Sequence, residues 1–232
     1  MNLSKFKKIE LFGFFLLIIT GSFYLYSNTQ SPTYNEALDG KIVTALPLVD
    51  GGMLVSGHFS DGYVYRISAN KEVQWDFMAN NEVGGFSDPP TSIRAMPDGN
   101  FLFAGAFTNY DQSVVGSIIK LNEWGVIDEE FLRNSGVGFN DEVKDIFIDE
   151  NGDVIAVGAF DNYNGTYAPG IVKIKSNGKV DESFNPVSVN GIINKVHVQP
   201  ETGEITIGGD FKIDGTDIQY FTKLNSKGKL TQ

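Results

Sequence analysis

Short runs of alternating apolar and polar residues follow one another along most of the chain after about residue 40. Residues 143–148 form one run, an Asn-Gly turn follows at 150–153, and residues 154–158 form the return run. Alternation with a period of two is typical of half-buried strands, and Asn-Gly between two such runs predicts a type I′ hairpin. The pattern therefore predicts an all-β domain of short antiparallel strands.

The same run–turn–run pattern occurs four times, and each copy ends in Gly-x-Phe. The four phenylalanines are Phe59, Phe107, Phe160 and Phe211, and they recur with a period of about 50 residues. A fixed period of this size indicates a propeller or a solenoid. The first three units each contain four strand-like segments and the fourth contains three, so we predict a β-propeller of four blades. We expect the glycine to let neighbouring backbones approach closely, and the phenylalanine to fill the space between adjacent sheets. The units cover about residues 42–77, 92–131, 143–184 and 193–232.

The fourth unit has no closing strand-like segment, but residues 33–41 offer a replacement. Thr33-Tyr34-Asn35 is similar to Ser183-Phe184-Asn185 at the end of the third unit. Since an exposed sheet edge is a pairing hazard, we expect residues 33–41 to close the last blade of a four-blade ring within 33–232. The alternative is an open half-ring that pairs with a second copy, which would make the protein a homo-oligomer.

The N-terminus predicts a signal or an anchor. Three lysines precede an uncharged apolar run at residues 11–26, a combination typical of export signals and membrane anchors. As a helix, this run would span about 24 Å, which is short of the roughly 30 Å hydrocarbon core. Tyr24 and Tyr26 lie where an interfacial aromatic belt would be, which favours an uncleaved anchor over residues 1–27. The alternatives are a signal cleaved near residues 20–22 and a buried core helix.

Residues 28–32 are polar and predict a short linker between the anchor and the repeats. With the lysines on the cytoplasmic side, the propeller would lie beyond a bacterial inner membrane, in the periplasm or outside. If the signal is cleaved, the protein is secreted instead.

Composition excludes several function classes. The formal net charge is −11, which argues against nucleic acid as a partner because nucleic-acid binding needs a basic surface. The chain has no cysteine, so it has neither disulfides nor thiolate chemistry.

The repeats resemble the delta-60 repeat family of bacterial β-propeller repeats. The resemblance is carried by a Gly-Gly-x-Phe return, a Leu-Asn-x-x-Gly turn and a Val-Asp-x-x-Phe ending, which occur at residues 208–211, 121–125, 224–228 and 180–184. Three units depart at the first glycine, where Ser56, Ala104 and Val157 stand. The resemblance implies a propeller fold and an exported or surface setting, but no activity, because propellers host many functions.

No catalytic, cofactor-binding or metal-binding constellation stands out. The two histidines, His58 and His197, occupy non-equivalent positions in their units, and the acidic turn at 149–153 lacks the bidentate glutamate of an EF-hand. Tyr110, Tyr163 and Tyr167 lie between the second and third strands of their units, where we predict an exposed binding face on one rim.

These observations favour a non-catalytic, membrane-tethered interaction or scaffold module that binds a protein partner in the cell envelope. Two alternatives stay open. One is a secreted or periplasmic glycan-active enzyme, and the other is a surface adhesin stabilised by Ca²⁺.

Overall fold

A computed structural model describes residues 10–11, 14–19, 22–27, 38–74, 77 and 85–231. Near the N-terminus, three strands form a small antiparallel sheet: β1 (Glu10–Leu11), β2 (Phe14–Ile19) and β3 (Ser22–Ser27). The backbone here differs from the single helix predicted over residues 11–26, because β2 and β3 pair from Phe14↔Ser27 to Ile19↔Ser22. The segment is rich in phenylalanine, isoleucine and tyrosine, whose side chains fit a pleated strand well.

Within the part of the chain that the structure describes, no helix is both long and apolar enough to cross a bilayer. The membrane tether and the export of the chain stay predictions. The linker at 28–32 and residues 33–37 of the predicted closing strand lie outside the described residues.

Among the residues described after about 40, there are four three-stranded antiparallel sheets, one for each sequence repeat. Sheet 1 contains β4 (Lys41–Pro47), β5 (Met53–Phe59) and β6 (Gly62–Ile67). Sheet 2 contains β7 (Pro90–Ala95), β8 (Phe101–Gly105) and β11 (Ile118–Leu121). Sheet 3 contains β12 (Val143–Ile148), β13 (Val154–Gly158) and β16 (Ile171–Ile174). Sheet 4 contains β17 (Val189–Val198), β18 (Ile205–Ile213) and β19 (Gln219–Leu224).

Two short hairpins connect the second and third strands of the middle sheets. In sheet 2 the hairpin is β9 (Asn109–Tyr110) with β10 (Ser113–Val114), and in sheet 3 it is β14 (Asn162–Tyr163) with β15 (Thr166–Tyr167). Sheet 4 has no such hairpin among its described residues. Its first two strands are longer instead and pair as far as Val189↔Ile213.

The fourth strand predicted for the first three units is wrong in extent, and the fourth unit, predicted to lack a closing segment, has the same feature as the others. Among the described residues, the closing segment of every unit forms a single bridged pair with the third strand: Ile67↔Val73, Leu121↔Ile127, Ile174↔Val180 and Leu224↔Leu230. In the second unit the chain then forms helix α1 (Glu129–Ser135), where the sequence predicted a strand. Asp128 caps this helix by accepting hydrogen bonds from the N–H groups of Glu130 and Phe131, which favours a helix start over strand pairing.

The first hairpin turn of the third unit also differs from the predicted type I′ geometry. In the third unit, Gly152 has φ +80°, whereas Asn151 is not among the residues with positive φ. The Gly152 N–H donates to Asp149 O, and the Asp149 N–H donates to Asp153 O. This is a three-residue hairpin loop in which glycine alone occupies the left-handed region.

Every inner strand carries a bulge at the same position of its sheet. The ladder shifts between Ile42 and Thr44, Pro90 and Ser92, Val143 and Asp145, and Ile193 and Lys195. The glycine of each Gly-x-Phe motif lies against that bulge. A Cβ on Gly158 would come within 2.1 Å of Glu142 O, and one on Gly209 within 2.2 Å of Ile192 O. The predicted close approach is therefore real, but it lies within one sheet and not between neighbouring sheets.

The sheets pack in sequence order through their inner strands, β4 on β7, β7 on β12, and β12 on β17. Three apolar clusters fill the interfaces between sheets 1 and 2, sheets 2 and 3, and sheets 3 and 4. The repeated phenylalanines are buried as predicted, with Phe107 and Phe160 stacked near Phe86 and Phe139. β17 makes no comparable contact with β4, so the described strands do not close into a ring.

Candidate functional site

The hairpins between the second and third strands place the three predicted tyrosines in two different environments. Tyr110 and Tyr163 are fully buried, so the prediction that they form an exposed face is wrong. Their hydroxyls donate to the carbonyl oxygens of Gly125 and Gly178, at 2.5 and 2.6 Å. Burial raises the pKa of Tyr163, which keeps its hydroxyl a hydrogen-bond donor.

Tyr167 is 75% exposed and is the remaining candidate of the three. It lies on β15, opposite Asn162, and its equivalent in the β9–β10 hairpin is Val114, which is also exposed. The aromatic ring is thus specific to the third unit, whereas the exposed position is common to both hairpins.

Tyr167 borders a cleft of about 470 Å³ between sheets 3 and 4. One wall comes from the chain around Phe160 and Pro169, and the other from the start of β17 at 189–192. This second wall exists because β17 and β18 are longer than their counterparts in the other sheets. The cleft therefore has no exact equivalent between the earlier sheets.

Three exposed carboxylates line the cleft, and no lysine or arginine does. Asp161 Oδ1 accepts from Asn140 Nδ2 at 2.8 Å, and Asp214 Oδ2 accepts from Ser188 Oγ at 2.5 Å. Asp141 Oδ1 accepts from the Glu142 N–H. Each carboxylate is oriented by a local hydrogen bond, so the cleft combines fixed negative charge with an exposed aromatic ring.

No group of three or more histidine, aspartate or glutamate side chains within the described ranges is arranged to hold a metal ion. His58 and His197 are both exposed, on β5 and β17 respectively.

Asp145 is a buried charge that the sequence reasoning missed. It follows the bulge of β12, at the position that Thr44, Ser92 and Lys195 occupy in the other inner strands. Its Oδ1 accepts from Arg94 at 2.9 Å, and its Oδ2 lies 3.6 Å from Lys195 Nζ. Asp145 thus connects three successive sheets through charge. The available signal was an acid at a position of the alternating run 143–148 that would otherwise be apolar.

An ion pair recurs at one position of all four units. The cation is the residue before the last position of the third strand, and the acid lies in or beside the first hairpin turn: Arg66–Asp50, Lys120–Asp98, Lys173–Asp149 and Lys223–Glu204. Lys120 is nearly buried and also contacts Asp128 at 3.0 Å. Burial would lower the pKa of Lys120, but its two carboxylate partners outweigh burial and raise it. Because this ion pair recurs in all four units, it indicates a structural role in the repeat.

Comparison with protein families finds a match to two of the four units. A family described as "Domain of unknown function (DUF5122) beta-propeller" matches residues 97–131 and 150–184, which run from the first hairpin turn to the end of the second and third units. The second and third units are thus similar to β-propeller repeats. No curated protein matches it.

Among solved structures, the chain is similar to a protein of unknown function from Bacteroides caccae. The two share 13% sequence identity over 94% of this chain and 76% of that one, with a TM-score of 0.41.

Proposed function

We propose that this protein is a non-catalytic interaction module that binds a protein partner through the Tyr167 cleft. The observation that carries the proposal is the exposure of Tyr167 above a cleft with three carboxylates and no cation. Tyrosine is enriched in protein interfaces because it buries a large apolar ring and still offers a hydroxyl. Because the cleft is acidic, a partner segment that carries lysine or arginine would complement it.

We further propose that residues 11–26 tether the module to a bacterial inner membrane and that the partner is an envelope protein. The basic residues before this apolar segment and the tyrosines near its end support the proposal.

Two finer features of the fold belong to the same proposal. The four sheets would be the blades of one four-blade propeller, whose ring the described strands leave open; residues 33–37, the part of the predicted closing segment outside the described residues, would complete it beside sheet 4. The repeats would be of the delta-60 type. The equal construction of the four units, each with three strands, a bulge and one bridged pair, supports both.

Co-purification of full-length tagged protein from its native membranes in mild detergent, with mass spectrometry of the proteins recovered, tests the function. The variants compared are wild type, Tyr167→Ala and Val114→Ala. Val114 occupies the equivalent exposed position in the other hairpin, so its truncation controls for any general effect of altering a hairpin.

We expect a stoichiometric partner with wild type and with Val114→Ala. With Tyr167→Ala we expect recovery of the partner to fall at least tenfold, since truncating an aromatic hot-spot residue at the centre of an interface costs about 2 kcal/mol or more of binding free energy. Equal recovery with all three variants would place the interface elsewhere. Recovery of the protein alone, with a mature N-terminus near residue 28, would contradict the tethered module.

A further inference from the structure

A second cleft, of about 570 Å³, opens between sheets 3 and 4 at the end opposite Tyr167. It lies beside the first hairpin turns of these sheets, at 149–153 and 199–203. Its floor is apolar and is made by Phe147, Ile155 and Ile205. A cleft of this volume with an apolar floor and a few polar groups at its mouth is typical of a small-molecule site.

The repeat explains why a cleft opens here and not at the equivalent places. Leu48, Met96 and Asp149 are equivalent, because each pairs with the turn glycine and with the residue after it in the same hydrogen-bond pattern. Leu48 packs into the core between sheets 1 and 2, and Met96 into the core between sheets 2 and 3. The Met96 side chain reaches the turn at Gly152 of sheet 3.

In the third unit, the shorter and charged Asp149 replaces this apolar side chain and forms its contacts within its own sheet. Its Oδ1 accepts the N–H groups of Asn151 and Asp153, and its Oδ2 lies 3.2 Å from Lys173 Nζ. The side chain that would fill the interface between sheets 3 and 4 is therefore missing, and the floor of the cleft stays uncovered.

The charges at the mouth select the class of ligand. Asp149 is paired with Lys173, and Asp153 lies 3.1 Å from Lys175 Nζ. Glu150 also lines the cleft, is exposed, and has no ion-pair partner among the described residues. One carboxylate at the mouth is thus unneutralised above an apolar floor.

We propose that this cleft binds a small amphipathic ammonium compound, with its apolar body on Phe147, Ile155 and Ile205 and its cationic group at Glu150. This site is separate from the Tyr167 cleft, and the proposal does not depend on the protein-interaction function.

Isothermal titration calorimetry of the full-length protein in detergent tests the proposal with three compounds that share one apolar body: 4-phenylbutylamine, 4-phenylbutan-1-ol and 4-phenylbutyrate. The amine is expected to bind roughly two- to fivefold more tightly than the alcohol, because an exposed ion pair adds about 0.5–1 kcal/mol, and the acid is expected to bind most weakly. No binding of the amine, or equal binding of all three compounds, would overturn the proposal.

Two variants locate the site. Asp149→Met introduces the residue found at the equivalent position 96 and should fill the cleft. It is expected to weaken the binding of the amine at least tenfold. Glu150→Lys leaves the floor intact and is expected to abolish the preference for the amine while the alcohol binds as before. Glu123→Lys, on an exposed turn in the second unit, is the matched charge control and should leave all three affinities unchanged. If Asp149→Met does not fold, Glu150→Lys decides alone, and an unchanged preference for the amine in that variant would overturn the proposal.

Discussion

The hydroxyl of Tyr163 donates a 2.6 Å hydrogen bond to the carbonyl oxygen of Gly178, and both groups are buried. Tyr110 and Gly125 make the same contact one unit earlier, across the same sequence distance. In each case the tyrosine fixes the hairpin between the second and third strands to the turn that follows the third strand. The two tyrosines are therefore structural parts of the repeat.

Removing this hydroxyl should destabilise the fold without changing its shape. Tyr163→Phe keeps the ring but leaves the buried Gly178 carbonyl without its donor, which should lower the free energy of unfolding by about 1–2 kcal/mol. Urea unfolding followed by circular dichroism measures this. Tyr167→Phe removes the hydroxyl of an exposed ring and should change stability by less than about 0.5 kcal/mol. Equal effects of the two variants would contradict the role assigned to Tyr163.

Adjacent glycines in the fourth unit should respond differently to alanine. A Cβ on Gly209 would lie 2.2 Å from Ile192 O and 2.7 Å from Asn194 N, both backbone atoms, so Gly209→Ala should cost about 2 kcal/mol or more. At Gly208 the nearest atom is Tyr220 O at 3.8 Å, and Gly208→Ala should be neutral or stabilise by up to about 1 kcal/mol. Thermal unfolding of the two variants gives the comparison. A stable Gly209→Ala protein would mean that the bulge is not tightly packed.

Asp145 should be the most sensitive charged position in the inner strands. Asp145→Ala leaves Arg94 and Lys195 without their shared carboxylate and should cost about 2–3 kcal/mol. Arg94→Gln should cost less than about 1 kcal/mol, because the Arg94 side chain is 40% exposed and solvent can replace part of the contact. Urea unfolding of both variants measures their free energies of unfolding. A larger loss of stability for Arg94→Gln than for Asp145→Ala would contradict this ranking.

The stability of the fold should fall in acid partly because of Asp181. Burial by itself would raise the pKa of this carboxyl, but hydrogen bonds from Ser183 and Lys175 outweigh burial and lower the pKa from 3.8 to about 2. Since the folded-state pKa is depressed, the stabilisation is fully present above about pH 4 and is lost as the pH falls to about 2.

Asp181→Asn should therefore lower stability at pH 7 by up to about 2 kcal/mol and by progressively less below pH 4. Urea unfolding of wild type and variant at a series of pH values between 2 and 7 measures the difference. Glu182→Gln, at the exposed neighbouring position, serves as the control and should show no such convergence. A difference that is constant across the range would exclude Asp181 as the titrating group.

The sequence predicted the repeat well because its signals are local. Gly152 marks a turn that only glycine adopts easily, and Phe160 marks a large apolar side chain at a fixed distance from that turn. Both depend on a few neighbouring residues, so the pattern of alternating runs was enough to predict four all-β units.

The candidate site was predicted only in part, because burial in a loop depends on where the loop folds. Asn164 and Gly165 have φ +46° and +81°, the two positive values of a tight hairpin, in a segment where the sequence predicted an exposed binding face. This hairpin turns Tyr163 inward and leaves Tyr167 outside. The depth of the cleft beside Tyr167 depends on the length of β17, which cannot be inferred from either tyrosine.

Each unit ends in a single bridged pair with its own third strand, and this arrangement affects how the protein would unfold. Because the three strands of a sheet come from one continuous stretch of the chain, nearly all of their pairing is complete within one unit, and each described sheet packs mainly on the next. Such a chain behaves approximately as a row of nearest-neighbour domains, each with its own opening free energy. A destabilising substitution in one unit would then first increase the rate of amide hydrogen exchange in that sheet, while the amides of more distant sheets would stay protected from exchange.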